Sequence, residues 1–167
     1  MKINAKLAGA LGALSLVVAA GAAQAELRIG ALLPLTGDLQ AYGESSRNGI
    51  ELAASEINAE GGVMGQEVVI EIADTQTEPQ AGVDAAQRLV SVQDVSAIVG
   101  ALSSGVTIPV ASSVTSVEGV PQISGASTSP VMTTLEDNDF LFRTTPSDAF
   151  QGTALAAVAA DEGIDSV

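Results

Sequence analysis

The side chains of this sequence that could bind a small ligand are hydroxyls grouped in two short segments. Residues 101–105 read ALSSG and residues 125–130 read GASTSP, and each segment follows a short apolar run. Hydroxyls and free backbone amides at the start of a helix can hold a carboxylate or another small anion. A third segment, residues 34–43, carries Tyr42, the only Tyr in the chain. Its ring could form an apolar wall beside such a ligand.

Five side chains in these segments are candidate ligand contacts: Tyr42, Ser103, Ser104, Ser127 and Thr128. Each has a structural alternative. A Ser at the start of a helix often serves only as the N-cap, and a Thr in a Ser-rich turn often only forms the turn. Tyr42 could simply pack on its own loop.

Catalytic and nucleotide-binding motifs are missing from the sequence. GxSxG, SxxK, GxGxxG and GxxxxGK[ST] do not occur, and the chain has no His and no Cys. The usual Cys/His zinc sites, thiol nucleophiles and disulfides are therefore excluded, and the commonest general base is absent. We expect no enzyme, no cofactor and no metal site. The acidic cluster at 136–139 could hold Ca²⁺ but lacks EF-hand spacing, so a solvated turn is favoured.

The charge of the chain excludes another class of partner. Twenty acidic residues stand against six basic ones, which gives a formal net charge of −14. Such a surface repels phosphate backbones and anionic lipid head groups, so we expect no nucleic-acid binding.

Residues 1–25 have the pattern of a secretory signal peptide. Lys2 and Lys6 precede an apolar stretch at 7–20, and Ala23 and Ala25 supply the small residues that a signal peptidase recognises before Glu26. The alternatives, a transmembrane or core helix, are disfavoured because the stretch is shorter than the ~20 residues that span a bilayer. No Cys follows that could carry a lipid anchor. The sequence predicts a soluble protein exported to the periplasm.

The segments between the candidate loops alternate between strand and helix patterns. Short apolar runs predict strands, and apolar residues spaced three or four apart, such as Ile50, Ala53 and Ile57, predict helices. Strands are expected at 27–33, 67–73, 96–100, 121–124 and 140–143, and helices at 44–60, from Thr77 to about 92, from 103–105 to 119, and at 147–162. This order predicts an α/β fold, a parallel sheet flanked by helices on both faces. Residues 164–167 resemble the start of a further strand, which indicates the N-terminal part of a longer protein.

The same residues resemble the N-terminal lobe of the periplasmic branched-chain amino-acid-binding proteins, the substrate-binding components of ABC transporters. Matching segments occur in order along nearly the whole chain after residue 25: IG at 29–30, PLTG at 34–37, AYG at 41–43, EINAEGGVMG at 56–65, DTQTEP at 74–79, IVG at 98–100, SSG at 103–105, IS at 123–124, STSP at 127–130 and FRT at 142–144.

This resemblance implies a two-lobed clamshell with a type I periplasmic-binding fold. Residues 26–146 would form an incomplete N-terminal ligand-binding lobe, with the first hinge crossing at 144–146. Residues 147–167 would begin a truncated second lobe. A fragment without that lobe could not close over a ligand, so we expect weak binding.

The resemblance also assigns roles to the candidate residues. Ser104, with Ser103 beside it, and Thr128 would hold the α-carboxylate of the ligand. The Ala126 carbonyl and the Thr128 hydroxyl would contact the α-amino group, and Tyr42 would line the side-chain pocket, with Ser127 as a neighbour. One departure is Gly125, which stands where relatives often carry Pro.

The function implied is the capture of a branched-chain or related amino acid and its delivery to the membrane permease of an ABC transporter. One alternative keeps the fold but binds an amide, a urea or an aromatic acid. A second is a sensory ligand-binding domain, and a third is an enzyme whose nucleophile or metal site lies beyond residue 167.

Overall fold

The structure, a computed structural model, describes residues 26–164 and residue 166. The predicted signal peptide at 1–25 and its cleavage site lie outside the described residues. So do residues 165 and 167 of the last predicted strand.

The centre of the molecule is a parallel sheet of five strands in the order β2-β1-β3-β4-β5. Its strands are β1 (Glu26–Leu33), β2 (Glu67–Asp74), β3 (Ala97–Gly100), β4 (Gln122–Ser124) and β5 (Leu141–Arg143). The parallel sheet with flanking helices confirms the predicted fold class. Because β1 has β2 on one side and β3 on the other, the chain reverses its direction of winding between β1 and β3. Ligands of such sheets bind at this point, beyond the carboxyl ends of the strands.

Helices connect the strands. They are α1 (Gln40–Ala59), α2 (Pro79–Ser91), α3 (Ser104–Val110), α4 (Ser116–Glu118) and α5 (Asp148–Asp161), with a π-helical segment, Ala111–Thr115, joining α3 to α4 and a 3₁₀ turn at Pro130–Thr133. Gly119 ends α4 in the left-handed conformation with φ +70°, which agrees with the predicted helix end. Among the described residues, no helix is both long enough and apolar enough to cross a bilayer.

Two predicted helix starts were wrong. Helix α1 begins at Gln40 rather than near Glu44, because the Leu39 carbonyl accepts hydrogen bonds from the amides of Tyr42 (3.0 Å) and Gly43 (3.1 Å). Tyr42 therefore lies in the first turn of a helix and not in a loop. Thr77 does not cap α2, since the N-cap is Glu78 and Thr77 has a φ of +62°.

The main core lies between the sheet and the helices α2 and α3. It is built from ten buried residues: Leu32, Ala85, Ala86, Leu89, Val95, Ile98, Ala101, Val106, Val110 and Val114. Burying each of the larger side chains contributes roughly 1.5–3 kcal/mol. A Cβ at Gly82 would overlap Val106, so the absence of a side chain there allows α2 and α3 to pack closely.

Helix α1 covers the opposite face of the sheet only in part. It packs over β1 and β2, and its Ala54 is buried. An apolar groove of about 490 Å³ lies between α1 and the strands. Beyond it, Ile123 of β4 and Phe142 of β5 lie side by side and are 38% and 49% exposed.

Candidate functional site

The three predicted loops lie at the point where the order of the strands changes direction, between β1 and β3. Residues 34–39 follow β1, residues 101–103 follow β3, and residues 125–129 follow β4. Strands β1, β3 and β4 are neighbours, so their carboxyl ends place the three loops along one edge. The topology alone thus brings together segments that are far apart in the sequence.

Ser103 and Ser104 form the start of α3. The Ser103 carbonyl accepts hydrogen bonds from the amides of Val106 (3.0 Å) and Thr107 (2.8 Å), so Ser103 occupies the N-cap position. Its hydroxyl makes no capping hydrogen bond, and the side chain is half-buried. The first amides of a helix have no acceptor within the helix, so those at this end can serve a ligand.

Ser104 joins two of the loops. Its Oγ accepts a hydrogen bond of 3.2 Å from the Ser129 amide, across 25 positions of sequence. Arg143 supports the same loop from β5, because its guanidinium donates to the Ser129 carbonyl (2.8 Å) and to the Thr133 hydroxyl (2.6 Å). Both contacts fix the segment after β4 against the start of α3.

Ser127 differs from the sequence-based expectation, because its side chain points into the protein. The residue is 1% exposed, and its Oγ lies 2.8 Å from the Thr107 Oγ1 and 3.2 Å from the carbonyl oxygen of Leu102. The Ser127 amide also donates to the Ser124 Oγ (3.1 Å). With these bonds made, the hydroxyl supports the loop and is closed to a ligand at the edge.

A buried network behind the site was missed from the sequence. The hydroxyls of Thr107 and Ser124 both donate to the Ala101 carbonyl, and Gln122 donates its side-chain amide to the Gly100 carbonyl (3.0 Å). The side chains of Thr107, Gln122 and Ser124 are fully buried, and Ala101 is 1% exposed. The network therefore holds the segment that leads into Ser103. Its sequence signal is the presence of polar residues within otherwise apolar strand and helix faces.

Thr128 lies beside a residue that sequence reasoning did not single out. Its hydroxyl donates to the Asp148 Oδ2 (3.0 Å), and the Asp148 amide donates back to the Thr128 carbonyl (2.9 Å). Next to this pair, the Thr145 hydroxyl donates to the Ser127 carbonyl (3.2 Å). The start of α5 is thus fastened to the loop after β4.

Tyr42 and Ala126 line one apolar pocket of about 330 Å³. Its walls come from α1 and from the loops after β1, β3 and β4: Leu39, Tyr42, Ser46, Leu102, Gly125 and Ala126. Tyr42 lies in the first turn of α1 and is 66% exposed. Ser103, Ser104 and Thr128 follow the lining residues Leu102 and Ala126 by one or two positions in the sequence.

Asp74, at the end of β2, holds the loop after β1. Its Oδ1 accepts hydrogen bonds from the amides of Leu35 (2.9 Å), Thr36 (3.2 Å) and Gln76 (2.8 Å), and its Oδ2 accepts one from the Thr36 hydroxyl (2.6 Å). Burial alone would raise the pKa of Asp74, but these hydrogen bonds outweigh it and lower the pKa below its ordinary value.

Thr77 supports the same loop. Its hydroxyl is used there, which explains why Thr77 does not cap α2. Its hydroxyl accepts from the Leu39 amide (3.2 Å) and donates to the Thr36 carbonyl (3.3 Å). The loop that leads to Leu39 and Tyr42 is therefore held by two side chains of the β2–α2 connection.

No group of three or more His, Cys, Asp or Glu side chains within residues 26–164 is placed to hold a metal ion. In the acidic cluster, the Asp137 carboxylate accepts from the Asp139 amide (3.0 Å), and the Asp137 carbonyl accepts from the Phe140 amide (3.0 Å). These hydrogen bonds form a turn.

The fold defines a class, a lobe of a type I periplasmic-binding fold, and the candidate site lies where the strand order changes direction between β1 and β3. The family model for periplasmic binding proteins matches residues 26–167, and the chain belongs to this family.

Several known proteins are similar to this chain. The Leu/Ile/Val-binding protein BraC3 of Rhizobium johnstonii is 42% identical over 111 residues, which cover 66% of this chain and 30% of that protein. The crystal structure of the branched-chain amino acid substrate-binding protein LivJ from Streptococcus pneumoniae, in complex with isoleucine, gives a TM-score of 0.69 at 33% identity and covers 74% of this chain and 34% of that one. An ABC transporter substrate-binding protein from Desulfitobacterium hafniense, in complex with Leu, gives 0.70 at 34% identity and covers 83% and 39%. The chain thus spans roughly a third of the length of these relatives.

Proposed function

We propose that residues 26–146 form the ligand-capturing lobe of a solute-binding protein of an ABC transporter, and that its ligand is a branched-chain or related aliphatic amino acid. The observation that carries this proposal is the apolar pocket of about 330 Å³, because its lining includes Leu102 and Ala126, which stand one or two positions before the hydroxyl-bearing Ser103, Ser104 and Thr128. A polar end and an apolar end side by side match an amino acid with an aliphatic side chain. The named ligands of the similar proteins support the same assignment.

Each candidate residue then has a chemical role. The hydroxyls of Ser103 and Ser104, with the amides at the start of α3, bind the carboxylate of the ligand. The carbonyl of Ala126 and the hydroxyl of Thr128 accept hydrogen bonds from its ammonium group. Tyr42 covers the aliphatic side chain. We assign Ser127 a supporting role instead of a contact, because its hydroxyl is bonded inside the lobe.

The mechanism is capture on this lobe followed by closure of a second lobe, and a membrane permease recognises the closed form. Residues 147–167 begin the second lobe, and residues 1–25 direct export to the periplasm with cleavage after Ala25. The protein is a binding protein and not an enzyme. These assignments fit a family of binding proteins whose members are about twice as long as this chain.

Isothermal titration calorimetry on the complete exported protein tests the proposal. Leucine, isoleucine and valine should release heat with micromolar or tighter affinity, whereas acetamide, urea and benzoate should not. A preference for one of the latter three would instead support the alternative ligand class. No heat with any amino acid would refute the substrate assignment.

A double substitution tests the site. Ser104→Ala with Thr128→Ala removes two hydroxyls, and we expect the affinity for leucine to fall by about 100-fold or more, since hydrogen bonds to charged groups contribute roughly 1.5–3 kcal/mol each. The exposed pair Thr134→Ala and Thr153→Ala is the matched control. Equal affinities in both double variants would show that the site lies elsewhere.

A further inference from the structure

The pocket beside Tyr42 adjoins the apolar groove that lies between α1 and the strands. Among the described residues, Ser46, Leu102 and Gly125 line both the pocket of about 330 Å³ and the groove of about 490 Å³. Lining residues held in common place the two cavities next to each other. The groove therefore extends the candidate site along the helix.

One face of α1 forms a wall of both cavities. Tyr42, Ser46, Ile50 and Ala54 follow each other at intervals of four, which places them on the same side of the helix. Tyr42 lines the pocket, Ser46 lines both cavities, and Ile50 and Ala54 line the groove. The helix thus provides a continuous wall from the pocket into the groove.

The groove is apolar along its length. Among the described residues that line it, Ser46 is the one with a polar side chain. Ile50 is half-buried, and Ile57, further along α1, is 40% exposed. An alkyl chain that displaces water from such a surface gains affinity in proportion to the apolar area that it covers. The lining therefore suits a hydrocarbon chain and not a polar group.

Gly125 stands where the two cavities adjoin. A Cβ at Gly125 would meet no atom within 4 Å, and the φ of the residue lies outside the left-handed region. Neither the packing nor the backbone conformation therefore requires a glycine at this position. A larger residue here, on the lining of both cavities, would narrow them.

We propose that Gly125 is a specificity-determining residue: because it has no side chain, the site accepts α-amino acids whose unbranched alkyl side chain is longer than that of leucine and extends from the pocket into the groove. The carboxylate and the ammonium group stay at the polar edge of the sheet, and only the alkyl end enters the groove. This inference rests on the proposed function, because it assumes that an amino acid is held at this edge.

A series of unbranched L-amino acids tests the proposal with the complete, unaltered protein. Norvaline, norleucine and 2-aminooctanoate carry alkyl side chains of increasing length, and calorimetry gives the affinity for each. Burial of each added CH₂ should tighten binding by about three- to fourfold, so 2-aminooctanoate should bind about 10-fold more tightly than norleucine. Equal or weaker binding of 2-aminooctanoate would overturn the proposal, because the accessible space would then end before the groove.

Substitutions of Gly125 test the residue itself. In Gly125→Val, the ratio of the affinity for 2-aminooctanoate to that for leucine should fall by at least about 10-fold, because a side chain that enters a filled space forces its surroundings to move. Gly125→Ala adds only a methyl group, which meets no atom in the unliganded lobe, so the fold is retained. Its ratio should fall in the same direction by a smaller factor.

Gly152→Val is the matched control. A Cβ at Gly152, in α5, also meets no atom within 4 Å, and the residue lines neither the pocket nor the groove. This substitution should leave the ratio of the two affinities unchanged.

The outcomes separate the two proposals. If the unaltered protein binds no amino acid, the proposed function fails and this inference with it. If the unaltered protein binds leucine but the ratio is the same in Gly125→Val and Gly125→Ala as in the unaltered protein, Gly125 does not determine specificity and the inference alone is overturned. An equal fall of the ratio in Gly152→Val would also overturn it, since the effect would then not depend on the cavities.

Discussion

At the scale of single residues, the hydroxyls at the candidate site divide by the direction in which they point. Those of Ser103 and Ser104 lie at the edge of the sheet, whereas those of Thr107, Ser124 and Ser127 are buried and bonded to one another or to backbone carbonyls. A buried hydroxyl without its partner costs roughly 1–3 kcal/mol. The buried set therefore carries more of the stability of the site than the exposed set does.

Thr107→Val tests this division. Valine has nearly the same shape, but it leaves the Ser127 hydroxyl with one partner fewer and removes one of the two donors to the Ala101 carbonyl. We expect the free energy of unfolding, measured with urea, to fall by about 1–3 kcal/mol. Thr153→Val, at an exposed position of α5, is the control and should change it by less than about 0.5 kcal/mol. Similar losses in both would contradict the structural role of the buried set.

The lowered pKa of Asp74 makes the free energy of unfolding depend on pH. Its pKa in the folded state is lowered, so it binds its proton less readily than in the unfolded chain, where the value is about 3.8. The stability that it contributes is therefore present above about pH 3.8 and is lost as the pH falls through the lowered folded value. Asp74→Asn should be about 1–2 kcal/mol less stable than the unaltered chain at pH 7, and the gap should narrow below pH 3.8.

Urea unfolding at pH 7 and at pH 3 measures this gap. Glu78→Gln is a suitable comparison, since Glu78 lies on the same connection, is exposed and makes no capping hydrogen bond. A gap for Asp74→Asn that is constant across the two pH values would rule out the hydrogen-bonded carboxylate as its cause.

At the scale of elements, the start of α1 is the feature that the sequence pattern did not resolve. The periodicity of Ile50, Ala53 and Ile57 predicted the body of the helix, because it records which face is apolar. The first turn depends on Asp74 and Thr77, which are about 40 positions away and contact the preceding loop. Contacts between residues so distant in sequence leave no local period. The same reason hid the inward direction of Ser127 and the pairing of Thr128 with Asp148.

Substituting Ala for two glycines of α1 should change the stability in opposite directions. A Cβ at Gly43 would overlap the Pro34 carbonyl, so Gly43→Ala must push the first turn of α1, with Tyr42, away from the loop. We expect a loss of at least about 2 kcal/mol of stability and weaker leucine binding. Gly49 has no atom within 4 Å of such a Cβ, so Gly49→Ala should stabilise the helix by about 0.4–1 kcal/mol. Thermal unfolding and calorimetry of both variants would distinguish them, and equal effects would disprove the close packing.

At the scale of the whole molecule, the apolar surface is distributed unevenly. The face under α2 and α3 carries the ten buried core residues, whereas Ile123 and Phe142 on the other face are exposed. Helix α5 buries none of its residues, and Phe150, Leu155 and Val158 on it are 59–74% exposed. Burial is what holds a helix of this length in place. The sheet with α1, α2 and α3 is therefore the stable unit, and the two hydrogen bonds between Thr128 and Asp148 attach α5 to it.

Removal of α5 tests whether the sheet with α1, α2 and α3 is stable without it. A chain that ends at residue 147 keeps the ten core residues and all five strands, so it should unfold in one cooperative transition with a free energy within about 1 kcal/mol of that of the longer chain. The hydrogen bonds to Asp148 are lost, and their exposure makes each of them contribute little. Urea unfolding followed by circular dichroism measures the difference.

A chain ending at residue 118 is the comparison, since it lacks β4 and β5 and with them the Gln122 and Ser124 hydrogen bonds, and it should not fold cooperatively. If instead the removal of α5 alone abolished the cooperative transition, the stability of this lobe would depend on a surface that α5 supplies, and the boundary at residue 146 would be wrong.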